Sequence, residues 1–349
     1  MSSKKVLIVG PGFIGWSVLN LLVKENYSVT GYVRRKEHAE QIKASGASEI
    51  VLGDLDDKPL ITKHSLDQDI IIHTATADHL PSVEAILEAV YQRAEKGLET
   101  IYIHTSGTSV LDDGSKASYK STKVYHDNVR SEIDSLPDNA PHRLIDLTIT
   151  KVQKQLAEKA KIAIMIPPTI YGLNNGRLSI QIPTLTRYAL KHGFSGHIGQ
   201  GLAVESNIHV RDLARAYVVL LHHLESTPAN NPDILDNPYY FSEATGDNEP
   251  SWKEIASVIG TTLHEAGLLS DPTPRTIPRE TYDDLFGATF TEPVIGLNSR
   301  SRAVRLRELG WKPVEKNWRD SYTQDELPII LKEDRDHKAF DGYKGIVAS

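Results

Sequence analysis

The segment "KKVLIVGPGFIGWSVLNLL" (Lys4–Leu22) constrains this chain more than any other. Val6–Val9 is an apolar run of the length of one buried strand, and Phe13–Lys24 carries apolar residues at helical spacing. Between them, Gly10-Pro11-Gly12-Phe13-Ile14-Gly15 matches G-x-G-x-x-G. In a strand–turn–helix the first glycine permits the tight turn, and the second lets backbone approach a pyrophosphate. The third lets the helix pack on the strand, while the helix N-terminus adds positive potential. The turn is therefore expected to cradle a dinucleotide, with Gly10, Gly12, Phe13, Ile14 and Gly15 in contact with it. A second strand, Ser28–Val33, follows at the spacing of a βαβ unit. It ends in Arg34-Arg35-Lys36, where an acidic residue would hold the ribose 2′-hydroxyl of NAD. Adjacent guanidinium groups suit a 2′-phosphate, so Arg34 and Arg35 point to NADP(H) rather than NAD.

The same rhythm continues. A helix is predicted over Glu37–Ser45, strands over Glu49–Leu52 and Asp69–Thr74, a helix over Leu80–Lys96 and a strand over Thr100–His104. Repeated βα units with nearly continuous apolar strands predict a parallel sheet covered on both faces. The polar stretch Asp112–Arg143 interrupts the pattern and reads as an insertion. A helix near Arg143–Ala160 and a strand over Ile162–Ile166 resume it. Beyond Leu178 come a helix (Ile182–Lys191), a Pro/Asn-rich linker (Pro228–Pro238), a strand in "YYFSEA" and a helix over Ser251–Ala266. The fold expected is α/β, a Rossmann-type doubly wound parallel sheet. Residues 1–177, with the insertion 112–142, form the NADP-binding domain. Residues 178–349 are mainly a smaller C-terminal α/β substrate lobe, interleaved with late strands of the sheet. Trp311 and Trp318 are assigned to that lobe, Arg300–Arg307 to a solvated helix face, and the tail after Asp325 to a segment that wraps or frays.

Composition removes several function classes. The absence of cysteine excludes disulfides, cysteine-ligated zinc and a thiol nucleophile. The histidines, His222-His223 included, show no metal-ligand spacing. His73 and His104 end apolar strands and read as core residues. A net charge of -7 argues against a nucleic-acid surface. Ser2-Ser3-Lys4-Lys5 runs straight into a short strand, which argues against a signal peptide, and no apolar run approaches the ~20 residues of a membrane span. A cytoplasmic protein with a small-molecule substrate, and neither nucleic acid nor membrane as partner, is expected.

Further motifs stand in a fixed order: "GDLDD" (Gly53–Asp57), "HTATAD" (His73–Asp78), "TSGTSV" (Thr105–Val110), "PPTIYG" (Pro167–Gly172), "NIHVRDLARAY" (Asn207–Tyr217) and "RELGWKP" (Arg307–Pro313). With the glycine turn, they resemble the extended or atypical branch of the short-chain dehydrogenase/reductase superfamily, its epimerase/dehydratase-like and NmrA-like members included. The resemblance implies that Asp54, with Leu55, meets the adenine. It implies that Thr74, Ala75 and Thr76 run beside the adenosine and pyrophosphate, and that Pro167, Pro168 and Thr169 lie near the nicotinamide. Thr105 and Lys151 complete the expected cofactor set. His209 and Asp212 match a structural element, and a homodimer follows from the resemblance alone.

The family's chemistry uses a tyrosine with a lysine four residues later on one helix face, and a serine after the fifth strand. The corresponding helix should contain "HRLIDLTITK" (His142–Lys151), which has no tyrosine; Lys151 has Leu147 four residues before it. Gly107 falls at the serine position, flanked by Ser106 and Thr108. A Tyr-x-x-x-Lys does occur at Tyr119–Lys123, inside the insertion, with Tyr125 close by. Two readings follow. In one, the insertion delivers Tyr119 as proton donor, with Lys123 as its partner and Ser106 as oxyanion donor. The protein is then an NADP-dependent oxidoreductase of a small carbonyl or alcohol. In the other, the dyad is lost and the chain is a non-catalytic NADP-binding redox sensor. A nucleotide-sugar epimerase is a weaker third reading, because its dyad position is empty and it would use NAD.

Overall fold

Strands β1 (Lys5–Val9), β2 (Ser28–Val33), β3 (Glu49–Leu52), β4 (Ile70–His73) and β5 (Ile101–Thr105) form where the apolar runs predict them. They are seen in a computed structural model that describes residues 4–333, 340, 342 and 343. With β7 (Lys161–Ile166) and β11 (Tyr239–Phe241) they make a seven-stranded sheet in the order β11-β7-β5-β4-β1-β2-β3, parallel throughout. Val6–Val9, Ile70–Ile72 and Ile162–Ile166 are almost entirely buried. Burial on both faces is why these strands read as unbroken apolar runs rather than alternations.

Helices supply the cover. On one face α1 (Gly15–Lys24) packs on α8 (Val210–Ser226). On the other, α4 (Leu80–Glu95) lies between α3 (Lys58–Leu66) and α6 (Arg143–Leu156). The short α2 (Lys36–Ala44) covers β2 and β3. Helix α3 escapes the sequence pattern because it buries only Ile61 and Ser65, although Asp57 caps it through Leu60 N at 3.1 Å. Three short parallel pairs complete the strands: β6 (Tyr125–His126) with β13 (Ser301–Arg302), β8 (Thr169–Tyr171) with β10 (Asn207–His209), and β9 (Gly196–His197) with β12 (Arg275–Thr276).

A second apolar cluster makes the smaller lobe, centred on Tyr188 of α7 (Gln181–His192), Trp252 and Ile259 of α10 (Trp252–Glu265), and Phe286. The two apolar clusters draw residues from both sides of position 177. Ala117 and Tyr171 belong to the smaller cluster, whereas Tyr217, Phe241, Leu306 and Trp311 belong to the larger. Trp318 lies in the smaller lobe as assigned. Trp311 does not: its indole N–H donates to the Asp212 carbonyl at 3.1 Å within the main core.

The stretch Arg300–Arg307 is likewise not a solvated face. Arg305 is buried, donates to Asn237 O and Tyr239 O at 2.7 Å each, and stacks 3.8 Å over the Tyr240 ring. Arg300 and Arg302 grip the buried Glu249 carboxylate. The insertion is held by buried Asp127, which accepts from Phe241 N, Val304 N and Arg305 N at 2.9–3.1 Å. The tail continues as a helix over Leu327–Lys332, and most of the rest lies outside the described residues. Among the described residues no helix is long and apolar enough to cross a membrane, and no cluster of side chains suits a metal ion.

Candidate cofactor cleft and acid–base site

Strand β1 sits between β4 and β2, so the strand order reverses there and a crevice opens at the carboxyl ends. The glycine turn lines it. Gly10 has φ +79°, and a Cβ there would lie 2.4 Å from Ala75 Cα, so only glycine lets the turn touch the loop after β4. A Cβ on Gly15 would lie 2.3 Å from Thr74 Oγ1, which itself donates to Gly10 O at 2.7 Å. At Gly12 a Cβ would meet nothing nearer than Gly10 O at 3.9 Å, which leaves that face of the turn open. Two glycines of the turn are thus closely packed and the third is open. Ile14 packs against the core, and the Phe13 carbonyl is taken by Asn174 Nδ2 at 2.6 Å.

Arg34 and Arg35 emerge exposed just beyond β2. Asp54 is exposed at the end of β3, where its Oδ1 accepts from Asp56 N at 3.0 Å. Tyr32 fixes this turn by donating to Asp54 O at 2.7 Å, and Leu55 packs on the core beside it. The Pro167 carbonyl accepts from Thr108 N at 3.0 Å and so holds the TSGTS segment; Pro168 is buried. Three members of the expected cofactor set point elsewhere. Thr105 Oγ1 is buried between His73 O at 2.7 Å and Tyr217 OH at 2.5 Å. Thr169 Oγ1 donates to the buried Glu205 carboxyl at 2.6 Å. Lys151 is exposed on α6. Nine residues after His142 is two and a half turns, which puts it on the opposite face of the helix.

Tyr119, Lys123 and Ser106 are not brought together. The segment 119–124 is not helical, so a spacing of four places no two side chains on one face. Tyr119 is 46% exposed, with its hydroxyl 3.5 Å from Asp113 O. Lys123 Nζ pairs with Glu132 at 2.7 Å and lies over the Tyr125 ring. Ser106 is buried, and its hydroxyl donates to Asp146 Oδ2 at 3.0 Å.

A different constellation stands at the head of α6. His142 precedes the first turn with φ +64°, in the left-handed region that non-glycine residues seldom adopt. Its Nε2 is 2.5 Å from Ser109 Oγ, and its Nδ1 is 2.6 Å from Asp78 Oδ1. Asp78 belongs to the loop after β4, where Thr76 Oγ1 accepts its backbone N–H at 3.2 Å. Ser109 belongs to the 3₁₀ turn after β5. A Cβ on Gly107 would come within 3.2 Å of His142 Nε2, so the glycine makes room for the imidazole. One turn further, Asp146 is fully buried; burial pushes its carboxyl up to about 7, against the opposing effects of His142, the Ser106 hydroxyl and Arg143. Its Oδ1 has no hydrogen-bond partner among the described residues. Behind it, burial drives His73 down to about 3 and His104 well below its ordinary value, so this stacked pair is neutral. The His142 side chain keeps 15% exposure. His142 and Asp146 stand four residues apart at the head of the helix, and a search for tyrosine passes over them.

The sheet order and the glycine turn define the class: a dinucleotide-binding protein of the short-chain dehydrogenase/reductase type. Within that class the chain belongs to the NAD dependent epimerase/dehydratase family, whose model matches residues 6–234. It is similar to the oxidase ucsJ of Acremonium sp, 28% identical over 331 residues, 89% of this chain and 93% of that one. Among solved structures it resembles the UDP-glucose 4-epimerase of Thermotoga maritima, with a TM-score of 0.64 at 14% identity over 91% of this chain and 96% of that one. It also resembles the yeast methylglyoxal/isovaleraldehyde reductase Gre2, solved with NADPH, with a TM-score of 0.59 at 18% identity over 94% and 98% of the two chains.

Proposed function

We propose that the protein is an NADP-dependent oxidoreductase of small carbonyl or alcohol substrates in which His142 gives or takes the proton. The observation that carries this reading is the Ser109–His142–Asp78 chain on the helix where the family resemblance assigns the proton donor. Family membership and the similarity to an oxidase and to an NADPH-bound reductase support the oxidoreductase class. Arg34 and Arg35, where NAD specificity would ask for a carboxylate, support NADP. The glycine turn with Ala75 would hold the pyrophosphate, and Arg34 and Arg35 the ribose phosphate. When bound, the nicotinamide supplies or accepts the hydride.

The side chains supply the rest. The Asp78 carboxylate accepts the Nδ1–H of His142, which fixes the tautomer that leaves Nε2 as the working nitrogen. Ser109 extends the relay by one hydroxyl, and Asp146 anchors the TSGTS segment through Ser106. Replacing His142 by Phe is expected to lower kcat by roughly 10²–10⁴-fold on an aldehyde and ketone panel, with NADPH binding unchanged. Tyr119→Phe should leave turnover at the wild-type level. Wild-type turnover in the His142 variant sinks this reading. A redox sensor is a second reading, favoured by the absence of a Tyr-x-x-x-Lys from the helix where the resemblance calls for one. Tight NADPH binding with no turnover on any substrate of the panel would decide for it.

A further inference from the structure

The segment after β8 folds into a two-residue hairpin. Asn174 N and Arg177 N bond to one another's carbonyls at 2.9 and 2.8 Å, and Asn175 and Gly176 between them have φ +49° and +76°. Positive φ at both central positions marks an Asn-Gly turn of type I′, a rigid connection. The hairpin is bolted to the cofactor turn. Asn174 Oδ1 accepts from Ser17 Oγ at 2.6 Å, and its Nδ2 donates to Phe13 O at 2.6 Å.

What the hairpin holds in place is Arg177, whose guanidinium lies 5.3 Å from the centre of the Trp16 ring. Trp16 is itself fixed, by its N–H to Ser45 Oγ at 2.8 Å and by the His38 ring 5.5 Å away. His38 in turn is hydrogen-bonded to the backbone of Pro11 in the glycine turn. Among the described residues neither Arg177 nor Arg35 forms an ion pair. They nevertheless repel each other: burial and then Arg35 lower the Arg177 guanidinium from its ordinary value, and burial, Arg177 and Arg35 hold His38 near 4. Arg35 at the end of β2 and Arg177 from a hairpin some 140 residues away in sequence are therefore brought close enough beside the turn to repel each other. Such an arrangement costs energy until an anion arrives.

We infer that Arg177 is the second wall of an anion subsite whose first wall is Arg34–Arg35, and that the anion is the 2′-phosphate of the adenosine ribose. The inference rests on the NADP reading above. It adds a specificity-determining residue from outside the N-terminal βαβ unit, one whose guanidinium is held by the Trp16 ring and whose several N–H donors suit a phosphate.

Calorimetric titration tests it, with NADPH, NADH, adenosine 2′,5′-bisphosphate and 5′-AMP as ligands. Arg177→Ala should weaken NADPH and the bisphosphate by roughly 10–100-fold, the scale of a charge-assisted contact, while NADH and 5′-AMP change by less than about threefold. Arg177→Gln, which keeps a planar group on Trp16, should lose nearly as much at an unchanged melting temperature. Equal weakening of NADPH and NADH would place Arg177 at the shared pyrophosphate and overturn the inference, as would no change in either. If wild type itself binds NADPH and NADH alike, the NADP reading fails before any variant is made.

Discussion

Gly107 and His142 have to be understood as one feature. Gly107 has an extended backbone, φ -163°, which any residue adopts, so its value lies in the missing Cβ beside His142 Nε2. Gly107→Ala should therefore displace the imidazole rather than strain the chain, lowering kcat by about tenfold or more with a melting temperature near wild type. Asp78→Asn keeps shape and removes charge. It should cost roughly 10²-fold in turnover while leaving NADPH affinity unaltered, as read by fluorescence titration. Unchanged turnover in both variants would leave His142 without a supporting shell. The glycine turn was legible in the sequence because its roles depend on positions only a few residues apart. The acid–base chain was not, because Ser109 and Asp78 reach His142 across separations of 33 and 64 residues.

Elements were legible in proportion to how much they bury. The strands β1, β2, β4, β5 and β7 are buried along nearly their whole length, so hydrophobicity alone marks them. Pairs such as β8–β10, three residues each, are made by backbone that the surrounding loops bring together, and leave no periodic trace. Arg300–Arg307 was misread because charge suggests solvent, while Glu249 and the carbonyls beside Arg305 were invisible from sequence. The helix α10 shows the opposite case. Ser251 Oγ accepts from Glu254 N at 3.2 Å, and the Glu254 carboxylate accepts from Ser251 N at 2.6 Å, a reciprocal cap at the S-x-x-E spacing. Ser251→Ala should lower stability by about 1 kcal/mol, measured by urea denaturation, without affecting NADPH binding.

Over the whole molecule, buried ionisable groups set the pH dependence of stability. Burial raises Glu205 to about 8 and Asp146 and Glu326 to about 7. Each stays uncharged in the folded protein at a pH where the unfolded chain has already lost the proton, so stability falls as pH climbs through that interval. At lower pH the trend is opposed. His38 and His73, held near 4 and 3, are neutral when folded and protonated when unfolded, so their effect raises stability up to about pH 6.5. Above about 6.5 only the carboxyl trend remains. The melting temperature should decline from pH 6.5 to about 8.5, and Glu205→Gln, whose amide oxygen can still accept from Trp252 while its N–H donates to the Thr169 hydroxyl, should flatten the decline. A flat wild-type profile across that range would contradict it.

The way the lobes share the chain also limits how such a protein can change. Residues 117 and 171 leave the sheet domain to seal the smaller lobe, while α8, β11 and Trp311 return from the second half to seal the sheet. No single cut yields two pieces that each own a complete interior. The smaller lobe is therefore not a cassette to be exchanged between relatives. New specificity has to arise in place, by substitution along the loops that line the crevice, while both interiors go on being built from the same interwoven thread.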